Sequence, residues 1–271
     1  MERTQPRATS ETQTIALDRY QVEASFLTDV GKVRTSNEDS AAVVQPQEPG
    51  ELRSKGVLVI VADGMGGHEG GEVASRTATE RVADVYYRSG RPPQQALVDA
   101  FLAANQEIRE RAKRDKHLAG MGTTCTAVAA INGMVYSAHV GDSRVYLIRG
   151  QQAYRMTEDH SAPMALVQKG LLTLAQASHH EDRNVILRAM GTYDKLEVST
   201  WKEAFPLRPG DRLVLCSDGF HDSVADEEIG ALASRFPSAA ETCRALLDLA
   251  LQRDGADNIT VAVLALKERA E

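Results

Sequence analysis

Residues 57–75 read VLVIVADGMGGHEGGEVAS. The apolar run from Gly56 to Ala62 has the length and β-branched content of a strand buried on both faces. It stops at Asp63-Gly64, passes through glycines 64, 66, 67, 70 and 71, and enters a helical pattern. That pattern runs from Gly71 to about Arg88, with Ala74, Ala78, Val82 and Val85 on one face. A carboxylate therefore stands at the end of a buried strand, in front of a helix. The glycines invite comparison with phosphate-cradling loops, and neither known pattern fits. A P-loop requires Lys and then Ser or Thr after its last glycine, where Glu72-Val73 stand, and a dinucleotide-binding turn requires a small residue at Glu69. Taken alone, the segment also reads as a flexible strand-to-helix turn.

The same construction recurs outward along the chain. In LVLCSDGFHDS (213–223) a second apolar strand ends in Asp218-Gly219, and in HVGDSR (139–144) a third ends in Gly141-Asp142. A fourth acid, Asp257, precedes the strand NITVAVL (258–264). A single strand-end aspartate is ordinarily a turn former. Carboxylates repeated at strand ends, each beside Gly or Asn, supply what hard divalent cations require, namely oxygen ligands with room for backbone carbonyls and water.

Other short apolar runs bounded by turn signals predict strands at 22–27, 41–44, 123–130, 134–140, 144–148, 212–216 and 259–266. Asn132-Gly133 supplies the positive φ angles of a type I′ hairpin and makes its two strands antiparallel. After Pro92-Pro93 a helix carries the stripe Leu97, Phe101, Ala104, Ile108, Ala112, with charged residues opposite. Residues 226–235 and 238–253 read as further helices, the second capped by Ser238 with Glu241 three residues on. Antiparallel strand groups with paired helices between them predict a layered α+β domain. The domain is expected over residues 20–268, preceded by a mobile polar tail at 1–19 without apolar periodicity. Residues 161–190, with weak helical periodicity and the polar cluster His179-His180-Glu181-Asp182, read as an inserted flap.

Composition narrows the function classes. A net charge of −7, with 38 acidic against 31 basic residues mixed along the 271-residue chain, offers no broad basic face for nucleic acid. No apolar run reaches the roughly 18 residues of a membrane span, and the polar start lacks the apolar core of a secretory signal. A cytoplasmic location and a monomer are the expectation. Cys125, Cys216 and Cys243 are odd in number and lie in apolar or helical runs, as reduced core residues do.

Taken in order, VGKVRTSNED, VADGMGGHEGGEVAS, GTTCTA, HVGDSR, MTEDHS, RNVILRAMG, LCSDGF and DNITVAVL resemble the metal-dependent protein phosphatases of type 2C in their compact bacterial form. They run from about Asp29 to Leu264, nearly the whole domain. The resemblance implies a four-layer α-β-β-α sandwich with two mainly antiparallel sheets between helices. It also implies hydrolysis of phosphoserine and phosphothreonine by water activated between two Mg2+ or Mn2+ ions. By the same resemblance Asp63 bridges the two cations, Asp218 and Asp257 complete the first site, and the Gly64 carbonyl serves the second. Asp39 reaches the second ion through water, Asp142 with Asp218 forms a weaker third site, and Arg34 grips the phosphate. Gly122-Thr123-Thr124 and His160-Ser161 fall at positions of structural support. His68 is a candidate acid for the leaving alkoxide, although the family's acid histidine stands elsewhere relative to the Asp-Gly pair. Gln176 stands in the flap where an acid is expected. Phosphorylated proteins are the implied partners, including a Ser/Thr kinase or its targets.

Four alternatives compete with this reading. A thiol phosphatase needs arginine six residues after its cysteine, where Ile131, Asp222 and Leu249 stand. A calcineurin-like dinuclear site needs histidines among its aspartates. A non-catalytic binding module on the same fold is disfavoured by the complete ligand set, whereas a phosphatase for small metabolites shares the chemistry and differs in pocket shape.

Overall fold

The computed structural model describes residues 9–16, 20–66 and 69–268. In chain order the strands are β1 (Thr9–Ala16), β2 (Tyr20–Asp29), β3 (Asp39–Val44), β4 (Val57–Met65), β5 (Gly122–Thr123), β6 (Cys125–Ile131), β7 (Met134–Val140), β8 (Arg144–Arg149), β9 (Gln152–Arg155), β10 (Phe205–Pro206), β11 (Arg212–Cys216) and β12 (Ile259–Glu268). The helices are α1 (Pro49–Lys55), α2 (Gly70–Arg88), α3 (Pro93–Arg114), α4 (Ala162–Gln168), α5 (Leu174–Ala177), α6 (Asp218–His221), α7 (Asp226–Ala233) and α8 (Ala239–Arg253).

The strands form two antiparallel sheets, ordered β1-β2-β12-β11-β8-β9 and β10-β7-β6-β4-β3, with β5 paired to the end of β4. Period-two patterning explains the layers. Along β4, Val57, Val59 and Val61 enter the core between the sheets, while Leu58, Ile60 and Ala62 enter the core beneath α2 and α3. Along β12, Ala262 and Leu264 meet the opposite sheet, and Val261 and Val263 pack beneath α8. Three stacked cores thus separate four layers, α-β-β-α, as expected from the family resemblance. The β6–β7 hairpin turns at Asn132 (φ 50°) and Gly133 (φ 80°), the left-handed pair of a type I′ turn.

Several features differ from the sequence-based expectation. Part of the polar segment assigned to a tail, Thr9–Ala16, is an edge strand paired with β2 from Thr9↔Thr28 to Ala16↔Gln21. Main-chain ladder bonds need no apolar alternation, and a threonine-rich run has β propensity, so hydrophobic periodicity could not reveal it. The remaining residues of that tail, 1–8 and 17–19, lie outside the described residues. The run 123–130 divides into β5 and β6 at Thr124, whose hydroxyl takes over a main-chain bond of Asp63. Between residues 161 and 190 the chain forms only the short helices α4 and α5, and Gln176 closes a capping box with Thr173 at the start of α5. A helix cap thus occupies the position where an acid was anticipated.

Candidate active site

Sheet register brings the first two carboxylates together. Asp39 opens β3 directly opposite Asp63 near the end of β4. On the other side of β4, Thr124 N–H donates to the Asp63 carbonyl at 2.8 Å, and Asp63 N–H donates to Thr124 Oγ1 at 2.9 Å. The Thr123 hydroxyl donates to the same carbonyl at 2.8 Å, and Thr124 Oγ1 meets Ser143 Oγ at 2.8 Å, beside Asp142. Gly64 follows because no side chain fits there: a Cβ would collide with the Gly71 carbonyl at the start of α2. Gly64 N–H also donates to the Glu38 carbonyl at 3.1 Å.

The other sheet delivers Asp218 and Asp257. β11 ends at Cys216, and the Ser217 hydroxyl donates to Asp39 Oδ2 at 2.7 Å while accepting from Thr260 N–H at 3.0 Å. That one hydroxyl ties the two sheets together at the site. Asp218 is the first residue of α6, and a Cβ on Gly219 would collide with the Asn258 carbonyl, so this corner presses against the start of β12. Asp257 Oδ2 accepts from Arg34 Nη2 at 2.8 Å, with the side chains 39% and 53% exposed respectively. Asp142, between β7 and β8, is buried; its carbonyl meets His221 Nε2 at 3.1 Å. Its Oδ1 finds no hydrogen-bond partner among the described residues.

Burial and crowding act together on these acids. Burial, reinforced by Asp218, Asp39 and Asp142, pushes the Asp63 carboxyl far above the ordinary carboxylate range. Burial and Asp218 do the same to Asp142, and burial raises Asp218 despite the opposing pull of His221. Asp39 is raised to about 7, chiefly by burial. No three His, Cys, Asp or Glu side chains among the described residues stand as a ready-made cation cage. Like charges pressed together in a buried pocket, with one orphaned oxygen, nevertheless match the donor set of hard divalent cations. His68 lies outside the described residues. His160, expected as a support, accepts from Gly141 N–H through Nδ1 at 3.0 Å and contacts Ser199 Oγ through Nε2 at 2.9 Å, bracing the turn before Asp142.

Some contributors escaped the sequence reading. One is Glu38, beside Asp39: a Cβ on Gly71 would collide with Glu38 Oε2, which places this carboxylate at the N-terminal end of α2. Asn258 clamps the loop that carries Arg34: its Oδ1 accepts from Glu38 N–H at 2.8 Å, and its Nδ2 donates to the Val30 and Ser36 carbonyls at 3.0 and 2.9 Å. Their position beside motif aspartates was the available signal. Asn258→Ala leaves these main-chain groups unmatched and is expected to cost about 2–4 kcal/mol, lowering the thermal midpoint in calorimetry. KM for a phosphopeptide should rise with it, because the Arg34 loop is released.

A two-sheet sandwich that gathers buried and half-buried aspartates at its strand ends suits metal-dependent phosphoester chemistry. A family profile described as protein phosphatase 2C matches residues 34–253. The serine/threonine phosphatase stp of Listeria innocua is 35% identical over 246 residues, covering 89% of this chain and 94% of that protein. The serine/threonine protein phosphatase PstP of Mycobacterium tuberculosis is 37% identical over 236 residues, 87% of this chain and 43% of the longer PstP. The crystal structure of the M. tuberculosis phosphatase superposes with a TM-score of 0.79 at 35% identity, covering 91% of this chain and 99% of that one. A PstP catalytic domain in complex with two manganese ions superposes at 0.77 with 33% identity, covering 92% and 99%. The chain belongs to the protein phosphatase 2C family.

Proposed function

We propose that this protein removes phosphate from phosphoserine and phosphothreonine residues of other proteins, using water activated at a pair of Mg2+ or Mn2+ ions. The observation that carries the reading is the clustering of Asp39, Asp63, Asp142 and Asp218, whose burial and mutual repulsion favour the protonated acids unless cations compensate the carboxylates. When bound, such ions acidify water and cancel phosphate charge. Asp63 is assigned to both ions, Asp218 and Asp257 to the first, and the Gly64 carbonyl and Asp39 to the second. Asp142 with Asp218 is assigned to a third, weaker position. Arg34 presents its planar fork to the phosphate oxygens, and the Asp257 contact holds it at the mouth of the site. Among the described residues no helix is long and apolar enough to cross a membrane. We place the protein in the cytoplasm as a monomer opposing a Ser/Thr kinase.

The test is manganese-dependent release of phosphate from a phosphothreonine peptide and of p-nitrophenol from p-nitrophenyl phosphate. Activity should vanish on chelation, and a folded, manganese-loaded sample inert toward both substrates would sink the reading. Arg34→Lys keeps the charge and loses the fork, so kcat/KM for the peptide should drop roughly 10- to 100-fold.

A further inference from the structure

A cavity of about 630 Å3 opens beside the carboxylate site, reached by Asp142 and Asp218. One side, from α4 and α5, is apolar: Pro163, Met164, Leu174 and Ala177. Leu174 is 63% exposed although it sits in a cavity wall. The lining also carries Asp222 and, at the first residue of α7, Asp226.

The charges of this cavity are unequally committed. Arg144 bonds Asp159 through Nε and Nη2, Arg155 pairs with the same carboxylate at 2.5 Å, and Arg183 pairs with Asp222 at 3.3 Å. The three arginines lining the cavity are thus held by two acids, Arg144 and Arg155 sharing Asp159 and Arg183 taking Asp222. Asp226 is exposed and has no hydrogen bond or ion pair with a described residue. An apolar wall in a cavity with an unspent carboxylate suits a side chain with a long aliphatic stem and a cationic head. An acidic side chain entering the same space would meet Asp226, which no arginine of the cavity pairs.

We propose that this cavity is the subsite for a residue flanking the phosphorylated one and that it selects lysine or arginine, the stem lying on Met164 and Leu174 and the head meeting Asp226. This selectivity rests on the phosphatase reading above.

The test is a set of phosphothreonine peptides with alanine flanks, in which arginine or glutamate is placed singly at each of the four positions on either side. For the intact, manganese-loaded protein, the ratio of kcat/KM for the arginine peptide over the glutamate peptide is read at each position. At one or more adjacent positions on one side the ratio should be about tenfold or more, carried by KM and shrinking as salt rises. It should approach unity in Asp226→Asn and invert in Asp226→Arg. Leu174→Ser, which alters the apolar wall, should reduce the preference for arginine over the short cationic side chain of 2,3-diaminopropionate. A ratio that is flat in the unaltered protein, or equal in all three Asp226 forms while a third manganese ion fills the cavity, overturns the proposal. Loss of p-nitrophenyl phosphate hydrolysis by the unaltered protein points instead to failure of the phosphatase reading, since that substrate has no flanking residue.

Discussion

Asp63→Asn is expected to abolish metal-dependent phosphate release, lowering kcat/KM roughly 10³-fold or more, while making the chelated protein more stable. The two effects share one cause. Asp63 is driven to a raised pKa by burial and by Asp218, Asp39 and Asp142, so ionising it in the cation-free protein opposes folding. An amide of the same shape removes one repelling charge and keeps the main-chain bonds to Thr124, which involve only the Asp63 backbone N–H and carbonyl. In EDTA at pH 8 the variant should melt on the order of 5 °C higher than the unaltered protein, read by scanning calorimetry. In saturating manganese the order should reverse. A chelated variant that melts lower would mean that the carboxylate is a structural support, and its assignment to both ions would fail. A functional carboxylate that lowers stability leaves this opposite pair of effects, which activity measurements alone cannot report.

Much of this site was legible because its chemistry sits where strands end. Asp63, Asp142 and Asp218 each follow an apolar run, and the pairing of β3 with β4 then sets Asp39 opposite Asp63. What stayed hidden depends on partners distant in sequence. Ser217 matters because its hydroxyl spans 178 positions to Asp39, and Asn258 because it reaches back to Glu38 and Ser36. Neither residue type announces such a role by itself, since serine and asparagine are common turn formers. The fold divides the same way. β4 and β12, buried on both faces, are plain as apolar runs, whereas β1 is held by main-chain pairing, which leaves no apolar trace. The short strand β9 alternates exposed and half-buried residues and pairs with β8 at a sheet edge, so its pattern also fell below detection.

Cation binding should stabilise the protein more strongly as pH rises from 6.5 to 8, and the sign follows from the folded-state pKa shifts. A carboxyl whose folded pKa lies above its unfolded value near 4 binds its proton more tightly when folded. Its contribution to stability is complete below pH 4 and is lost as pH rises through the folded value. For Asp39 that loss ends only past about pH 7, and Asp63, Asp142 and Asp218 shift in the same direction. His139 and His160 act oppositely: burial lowers them to about 3 and about 4, so they cost stability as pH falls below 6.5. From pH 6.5 to about 7.5 the residual protonation of both histidines in the unfolded chain offsets part of the carboxylate slope, and above that the carboxylates alone set it. The chelated protein should therefore melt progressively lower from pH 6.5 to 8. Manganese at a thousandfold excess over its Kd restores about 4 kcal/mol, on the order of 10 °C. Because cations displace protons from these acids, calorimetric titration at pH 7 should show a binding heat that depends on the ionisation enthalpy of the buffer. Two buffers giving the same heat, together with a flat melting profile in EDTA, would mean that the aspartates are already ionised without cations, and the crowding inferred for this site would be wrong.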